Sequence, residues 1–246
     1  MKKYQAKSVT PVDEYVFTMS KDLQEKAESE LRETEEIRTN AIKALRDWAI
    51  NNPRIVKIRL DSNFLLQFLR HRKFSIPMAQ DALEKYIVLT NFSFEGIYPY
   101  IHIDMEIPTI QYLLKEGFVF ALPKRDKLGR RVMFYRASAF NSSKHLYWEV
   151  SKLFAYIFRS LLEDEENQIS GVVHICDTTG FGLQFMTVYA PRDILRIYKN
   201  AEVIIVNSQF LVVNVTDVQE LLIYFRKWCH CDIRKYIITT FLQHLR

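Results

Sequence analysis

Cysteine is scarce in this chain. Three residues in 246, Cys176, Cys229 and Cys231, make no disulfide framework. The triplet Cys229-His230-Cys231 has the look of a metal clip. Zinc sites pair their ligands as C-x2-4-C and need a second pair elsewhere. The sequence offers no second pair, so these read as surface or packing cysteines, and neither metal nor cofactor is expected. Long apolar runs are missing too. None approaches the ~20 residues of a bilayer span, so no transmembrane helix is expected. The basic start MKKYQAKSVTPVDEYVF has no apolar segment behind it, so no signal peptide is read and a cytosolic protein is expected. Glycine is rare, with six residues, and no internal repeat or low-complexity tract interrupts the chain.

What is present is a core. Hydrophobic residues make up 48%, including 17 Phe and 13 Tyr, enough to bury one large domain or a domain with a helical appendage. The net charge of +5 permits contact with a membrane or a nucleic acid without choosing between them. The basic residues are spread along the chain without an RNA- or DNA-binding motif, so no nucleic-acid partner is expected.

Periodicity divides the chain. Residues 20–50, rich in Glu, Lys, Arg, Ala and Leu, predict one long helix or two, with Ser20 as N-cap and Asn51-Asn52-Pro53 as the stop. Residues 62–72 predict a helix capped by Asp61 or Ser62, with Phe64, Leu65, Phe68 and Leu69 on one face. Further helices are predicted from Pro77 and over 109–115, the last stopping at Gly117. The pattern then changes. Strands are predicted at 118–122 and 131–135, joined by the turn KRDKLGR. A helix over 145–163, a strand at 172–176, a helix after Pro191, a strand at 210–213, a helix over 216–228 and a strand at 236–239 follow. Strands alternating with helices of this length imply an α/β fold with a mostly parallel sheet.

The stretch GVVHICDTTGFG, residues 171–182, is a buried strand feeding a glycine-containing loop, which is where α/β proteins often hold phosphate. A dinucleotide loop needs a third glycine opening a helix, and a phosphate loop needs Lys and Ser or Thr. Here LQFMTVYAP follows instead, so nucleotide binding is not supported. Phe181, Leu183, Phe185 and Val188 suit a greasy cavity better. His174 lies inside the strand without triad partners or a paired carboxylate, and no catalytic constellation stands out. The 145–163 helix is apolar over much of its circumference, through Phe154, Ile157, Phe158 and Leu161. From the residues alone this is either a helix packed on two sides or the wall of a ligand pocket.

Four stretches, in one order, resemble the CRAL-TRIO family of lipid-transfer proteins. They are LQEKAESELRETEEIR, DSNFLLQFLRHRKFSIPMAQDAL, LPKRDKLGRRVMFYR and GVVHICDTTGFGLQFMTVYAP. The branch they resemble holds the α-tocopherol transfer, retinaldehyde-binding and clavesin-like proteins. The resemblance implies an N-terminal helical module over residues 1–95 and an α/β domain over 96–246, whose sheet encloses an apolar pocket. It implies a non-enzymatic carrier, cytoplasmic and peripheral at membranes, monomeric, that moves a tocopherol, retinoid, carotenoid or phospholipid between bilayers. The alternative is a non-catalytic adaptor or phosphoinositide-binding module with a vestigial pocket. The residues so implied to line the pocket are Phe154, Ile157, Phe158, Leu161, Val173, Ile175, Phe181, Leu183, Phe185, Val188, Ile194, Val218 and Leu222. Asp177 is expected to pin the turn.

The sequence departs from the family in three places. Asn214 fits the family's Asn-x-Pro, but Thr216 stands where Pro is usual, at the hinge of the lid helix. The basic patch that grips phosphoinositide head groups in some members is represented here by Arg226, Lys227, Arg234 and Lys235, interrupted by Asp232 and Tyr236. The family's C-terminal tail is not found after TTFLQHLR, so a truncated form with a poorly closed pocket is expected. Arg70, His71, Arg72 and Lys73 carry two readings: lipid head-group contact, or cations at a helix C-terminus that favour the macrodipole and pair with acidic neighbours.

Overall fold

The computed structural model describes residues 7–8, 12–91, 106–141, 144–145, 147–177, 179 and 208–213. In chain order the elements are β1 (Lys7–Ser8), α1 (Lys21–Lys26), α2 (Glu35–Asn51), β2 (Lys57–Ile58), α3 (Ser62–His71), α4 (Ile76–Asn91), α5 (Pro108–Lys115), β3 (Val119–Ala121), β4 (Arg131–Arg136), α6 (Tyr147–Leu162), α7 (Glu165–Ser170), β5 (Val172–Asp177) and β6 (Ser208–Val213). The described residues fall into two compact units. One takes those of Met1–Asp104 and Trp148–Ser170; the other takes those of Met105–Tyr147, Gly171–Ala190 and Ser208–Arg246.

In the first unit the 20–50 pattern resolves into two helices. Ser20 caps α1, its hydroxyl accepting from the Leu23 amide at 3.4 Å. The chain then widens into a π-helical turn over Ala27–Leu31 and breaks at Arg32, which is left-handed at φ 67°. Thr34 starts α2 by accepting from the Ile37 amide at 3.2 Å, with Glu35 and Glu36 in the first turn, where the helix dipole favours anions. The break lets Ala27 and Leu31 bury against Ile169 of α7. Asp61 caps α3 through the Phe64 amide at 3.1 Å. α3 is the centre of this unit. Its expected stripe is buried, but so are Leu66, Gln67 and Arg70, so it is covered nearly all round. Leu45, Ile55, Leu65, Leu69 and Leu83 form the fully buried heart.

In the second unit, Gly117 ends α5 at φ +66°, the left-handed conformation that lets the chain turn into β3. The described strands form an open sheet in the order β3-β4-β5-β6. β3 and β4 run antiparallel; β4, β5 and β6 run parallel. The fold is thus α/β with a small, mostly parallel mixed sheet, as the strand–helix alternation implies. In the register Val132 faces Val173, Met133 faces His174 and Phe134 faces Ile175. Every residue of β5 except Cys176 is buried, which is why it reads as a continuous apolar run rather than an alternating one. The predicted helices after Pro191 and over 216–228, and the strand at 236–239, lie outside the described residues.

Candidate functional site

β5 carries two chemically different faces, because successive side chains alternate. Val173 and Ile175 project to one face with Val132 and Phe134 of β4, and Phe120 of β3 stacks on Phe134 at 5.2 Å between ring centroids. Across β4 and β5 that face is apolar up to Arg136 and Asp177 at its end, while the register sets Gln209 of β6 beside Val173. The opposite face holds Val172, His174 and Cys176 beside Met133 and Tyr135. There the Tyr135 hydroxyl and His174 Nδ1 lie 2.8 Å apart, both residues buried.

The environment sets the protonation of this pair. Burial pulls the His174 imidazolium down to about 4. Burial first, and then the neighbouring Cys176, push the Tyr135 phenol well above its usual value. Burial also lifts the Cys176 thiol to about 11. All three groups are therefore neutral near pH 7, and Arg131 lies on the same face, opposite Val172. Asp177 closes the strand: its Oδ1 accepts from the Thr179 amide at 2.9 Å. Asp177 thus pins the turn, as its position predicts.

α6 supplies the other described residues of the expected pocket. At 100° per residue its apolar side chains span roughly half the circumference. Val150, Leu153 and Leu162 are buried. Phe154, Ile157, Phe158 and Leu161, on the same arc, are only half-buried. Phe154 and Phe158 stack one turn apart at 6.3 Å. Leu146 and Trp148 are not among the side chains described. The remaining expected pocket residues, Phe181, Leu183, Phe185, Val188, Ile194, Val218 and Leu222, lie outside the described residues. So do Arg226, Lys227, Arg234 and Lys235, and the Cys229-His230-Cys231 triplet. Among the described residues no group of three His, Cys, Asp or Glu side chains could hold a metal ion, and no helix is long and apolar enough to cross a membrane.

The basic run begins inside the last turn of α3, with Arg70 and His71. The Arg70 side chain is fully buried and grips Glu33 at both ends, Nε to Oε2 and Nη2 to Oε1, each 2.8 Å. Its Nη1 donates to Glu165 and to Gln168, both at 2.8 Å, and its Nη2 to the Tyr15 hydroxyl at 3.2 Å. Arg38 lies against Glu33 at 3.4 Å and over the rings of Tyr15 and Phe17. Burial works against the Arg70 charge, but the Glu33 hydrogen bonds and the Glu33 and Glu165 charges outweigh it and hold the cation firmly protonated. Two arginines and two glutamates make the cluster neutral. Arg70 is therefore structural. Its partners Tyr15 and Glu165, and the Tyr135 partner of His174, are not foreseeable from the sequence, since each sits 39 or more residues away along the chain.

The sheet order and the alternation of strands with helices describe an α/β protein. The CRAL/TRIO domain matches residues 115–241, more than half of the chain, so the chain belongs to the CRAL/TRIO family. It is similar to human "Alpha-tocopherol transfer protein-like", 29% identical over 177 residues that cover 72% of this chain and 50% of that protein. Clavesin-1 of Mus musculus is 30% identical over 173 residues, 70% of this chain and 48% of that one. Clavesin-2 of Mus musculus is 28% identical over 174 residues, 71% and 52% respectively. The chain spans about half the length of the curated relatives it matches.

Proposed function

We propose that this chain is a carrier that binds a hydrophobic small molecule in an apolar pocket and moves it between membranes without bond chemistry. The ligand is of the tocopherol, retinoid, carotenoid or phospholipid kind. The observation that carries the reading is the CRAL/TRIO match over residues 115–241, whose span includes α6 and β5. The α6 arc of Phe154, Ile157, Phe158 and Leu161 and the β5 face of Val173 and Ile175 support it, as do the names of the transfer protein-like relatives. In this reading Phe181, Leu183, Phe185, Val188, Ile194, Val218 and Leu222 complete the lining. A module boundary falls near residue 95. The carrier works as a monomer in the cytoplasm and at membrane surfaces, where Arg226, Lys227, Arg234 and Lys235 meet phosphoinositide head groups.

The energetics suit transfer. Burying a chain of some twenty carbons gains roughly 0.8 kcal/mol per CH2 over water. A dry apolar pocket offers about what the bilayer offers, so the net preference is small and exchange runs both ways. The test is uptake. Delipidated protein is offered radiolabelled tocopherol, retinaldehyde and phosphatidylcholine in turn. Saturable binding of at least one is expected, weakened by Phe158→Ser. Failure to take up any of the three would favour the adaptor.

A further inference from the structure

We infer that Tyr15 is a phosphorylation site, and that phosphoryl transfer to its hydroxyl releases residues 12–19 from the helical core as an accessible loop. The site needs no ligand and does not rest on the carrier reading.

Residues 12–19 form a strap between β1 and α1 that is neither helix nor strand. Burial alternates along it, as in an extended chain: Glu14, Val16 and Thr18 are exposed, whereas Tyr15, Phe17 and Met19 are half-buried. Tyr15 packs on the core built around α3, and Phe17 and Met19 pack on Ala27, Leu31 and Ile169. Asp13 pins the leading end. Its Oδ1 accepts from the Ser62 amide at 2.7 Å and from Arg46 Nη2 at 3.4 Å. Tyr15 pins the middle. Its hydroxyl donates to Glu165 Oε2 at 2.5 Å and accepts from Arg70 Nη2 at 3.2 Å. The Arg38 guanidinium lies 5.1 Å from its ring centroid and 4.9 Å from that of Phe17. Burial pushes the phenol above its usual value, so it keeps the proton it donates to Glu165.

Two observations mark this tyrosine. Among the 13 tyrosines of the chain, Tyr15 alone follows two acidic residues directly, Asp13 and Glu14, and aliphatic Val16 comes next. That charge pattern suits a kinase with a basic substrate groove. The second observation is what a phosphate would meet. Glu33 and Glu165 already balance Arg38 and Arg70. A phosphoryl group brings about −1.5 to −2 charges at pH 7. It would face the Glu165 carboxylate and could not return the hydrogen bond. Repulsion and the lost bond act together at the point that pins the strap. A nucleoside triphosphate is the donor: the phenol oxygen bonds to the γ-phosphorus as the bond to the leaving diphosphate breaks, and the phenol proton passes to the kinase's base. The hydroxyl reaches a kinase only while the strap is open, so the phosphate traps a state that the parent visits transiently.

The test treats the full chain with a tyrosine kinase catalytic domain, magnesium and ATP. The phosphoryl group is mapped, and chymotrypsin cleavage after Phe17 is followed. Modification of Tyr15 ahead of the other tyrosines is expected, and Glu14→Lys, at an exposed position, should slow it several-fold. Loss of a hydrogen bond to a charged group should raise the open population, and cleavage with it, roughly ten- to a hundredfold. Tyr15→Phe keeps the ring and should be cut at one rate with and without the kinase. The cooperative melt should survive, because only the strap lets go. Tyr15 left unmodified while other tyrosines react overturns the inference. So does a phosphorylated chain cut at the parent's rate, in which Arg70 and Arg38 hold the phosphate in place. A phosphorylated chain without a cooperative melt overturns it too, since the whole core rather than the strap has then opened.

Discussion

Acid should destabilise this protein through His174. Its imidazole is fully buried between β4 and β6, 2.8 Å from a phenol and beside a thiol. In the unfolded chain it titrates near 6.5; in the fold burial pulls it to about 4. The folded state therefore binds fewer protons than the unfolded one between these values, and stability falls as pH drops through that window. The contribution is fully present above about pH 6.5 and lost progressively toward pH 4. Acidification from about pH 7 to about pH 5 should cost about 2 kcal/mol from this residue, and about 3 kcal/mol once the pH is below 4. His174→Gln removes the titration and keeps a hydrogen-bonding side chain. Urea unfolding of parent and variant at the two pH values separates this residue from the carboxylates, which titrate in both. The parent should lose about 2 kcal/mol more than the variant over that interval. Parallel losses would refute the argument, as would an imidazole resonance titrating near 6.5 in the folded protein.

The ion cluster around Arg70 gives a larger prediction. Arg70→Ala leaves the fully buried Glu33 carboxylate with only Arg38, at 3.4 Å, of its two arginines, and should cost about 3 kcal/mol in a denaturant midpoint series. A loss under 1 kcal/mol would mean that the cluster opens readily to water. On α6, Leu153→Ala should cost about 2–5 kcal/mol because the side chain is buried. Phe158→Ser, at a half-buried position, should cost distinctly less stability yet reduce ligand uptake more. The reverse ranking would make Phe158 a core residue rather than a pocket wall.

Local signals in the sequence were sufficient where the governing contacts are local. Ser20 and Asp61 cap their helices because a short side chain can reach an amide three residues on. Gly117 ends α5, and the Asp126–Gly129 turn joins β3 to β4 through contacts within four residues. β5 was legible as a buried strand because both its faces are covered, so polar alternation is absent. Other features depend on distant partners. The split of residues 20–50 at Arg32 follows from burial of Ala27 and Leu31 against Ile169, which no local pattern encodes. α7, six residues long, is too short to show a helical period. Arg70 read either as a lipid head-group contact or as a helix-end cation that pairs with acidic neighbours; the second holds, but that Glu33 and Glu165 arrive to bury it in a helical core is not a local signal. His174 was visible as a polar interruption of an apolar strand, but its neutrality comes from burial between β4 and β6, which no local pattern encodes. The apolar arc of α6 was equally visible. That Phe154, Ile157, Phe158 and Leu161 stay half-buried while Val150, Leu153 and Leu162 are buried could not be read from periodicity, because a wholly packed helix carries the same residues.

The central claim, a carrier for a hydrophobic molecule, is tested most directly by native mass spectrometry of the purified protein, followed by organic extraction and identification of what is released. The account predicts a mass above that of the 246-residue chain by one lipophilic molecule, recovered in the organic phase. A chain that is empty and remains so after incubation with mixed lipid vesicles would contradict it, as would a bound nucleotide recovered in the aqueous phase.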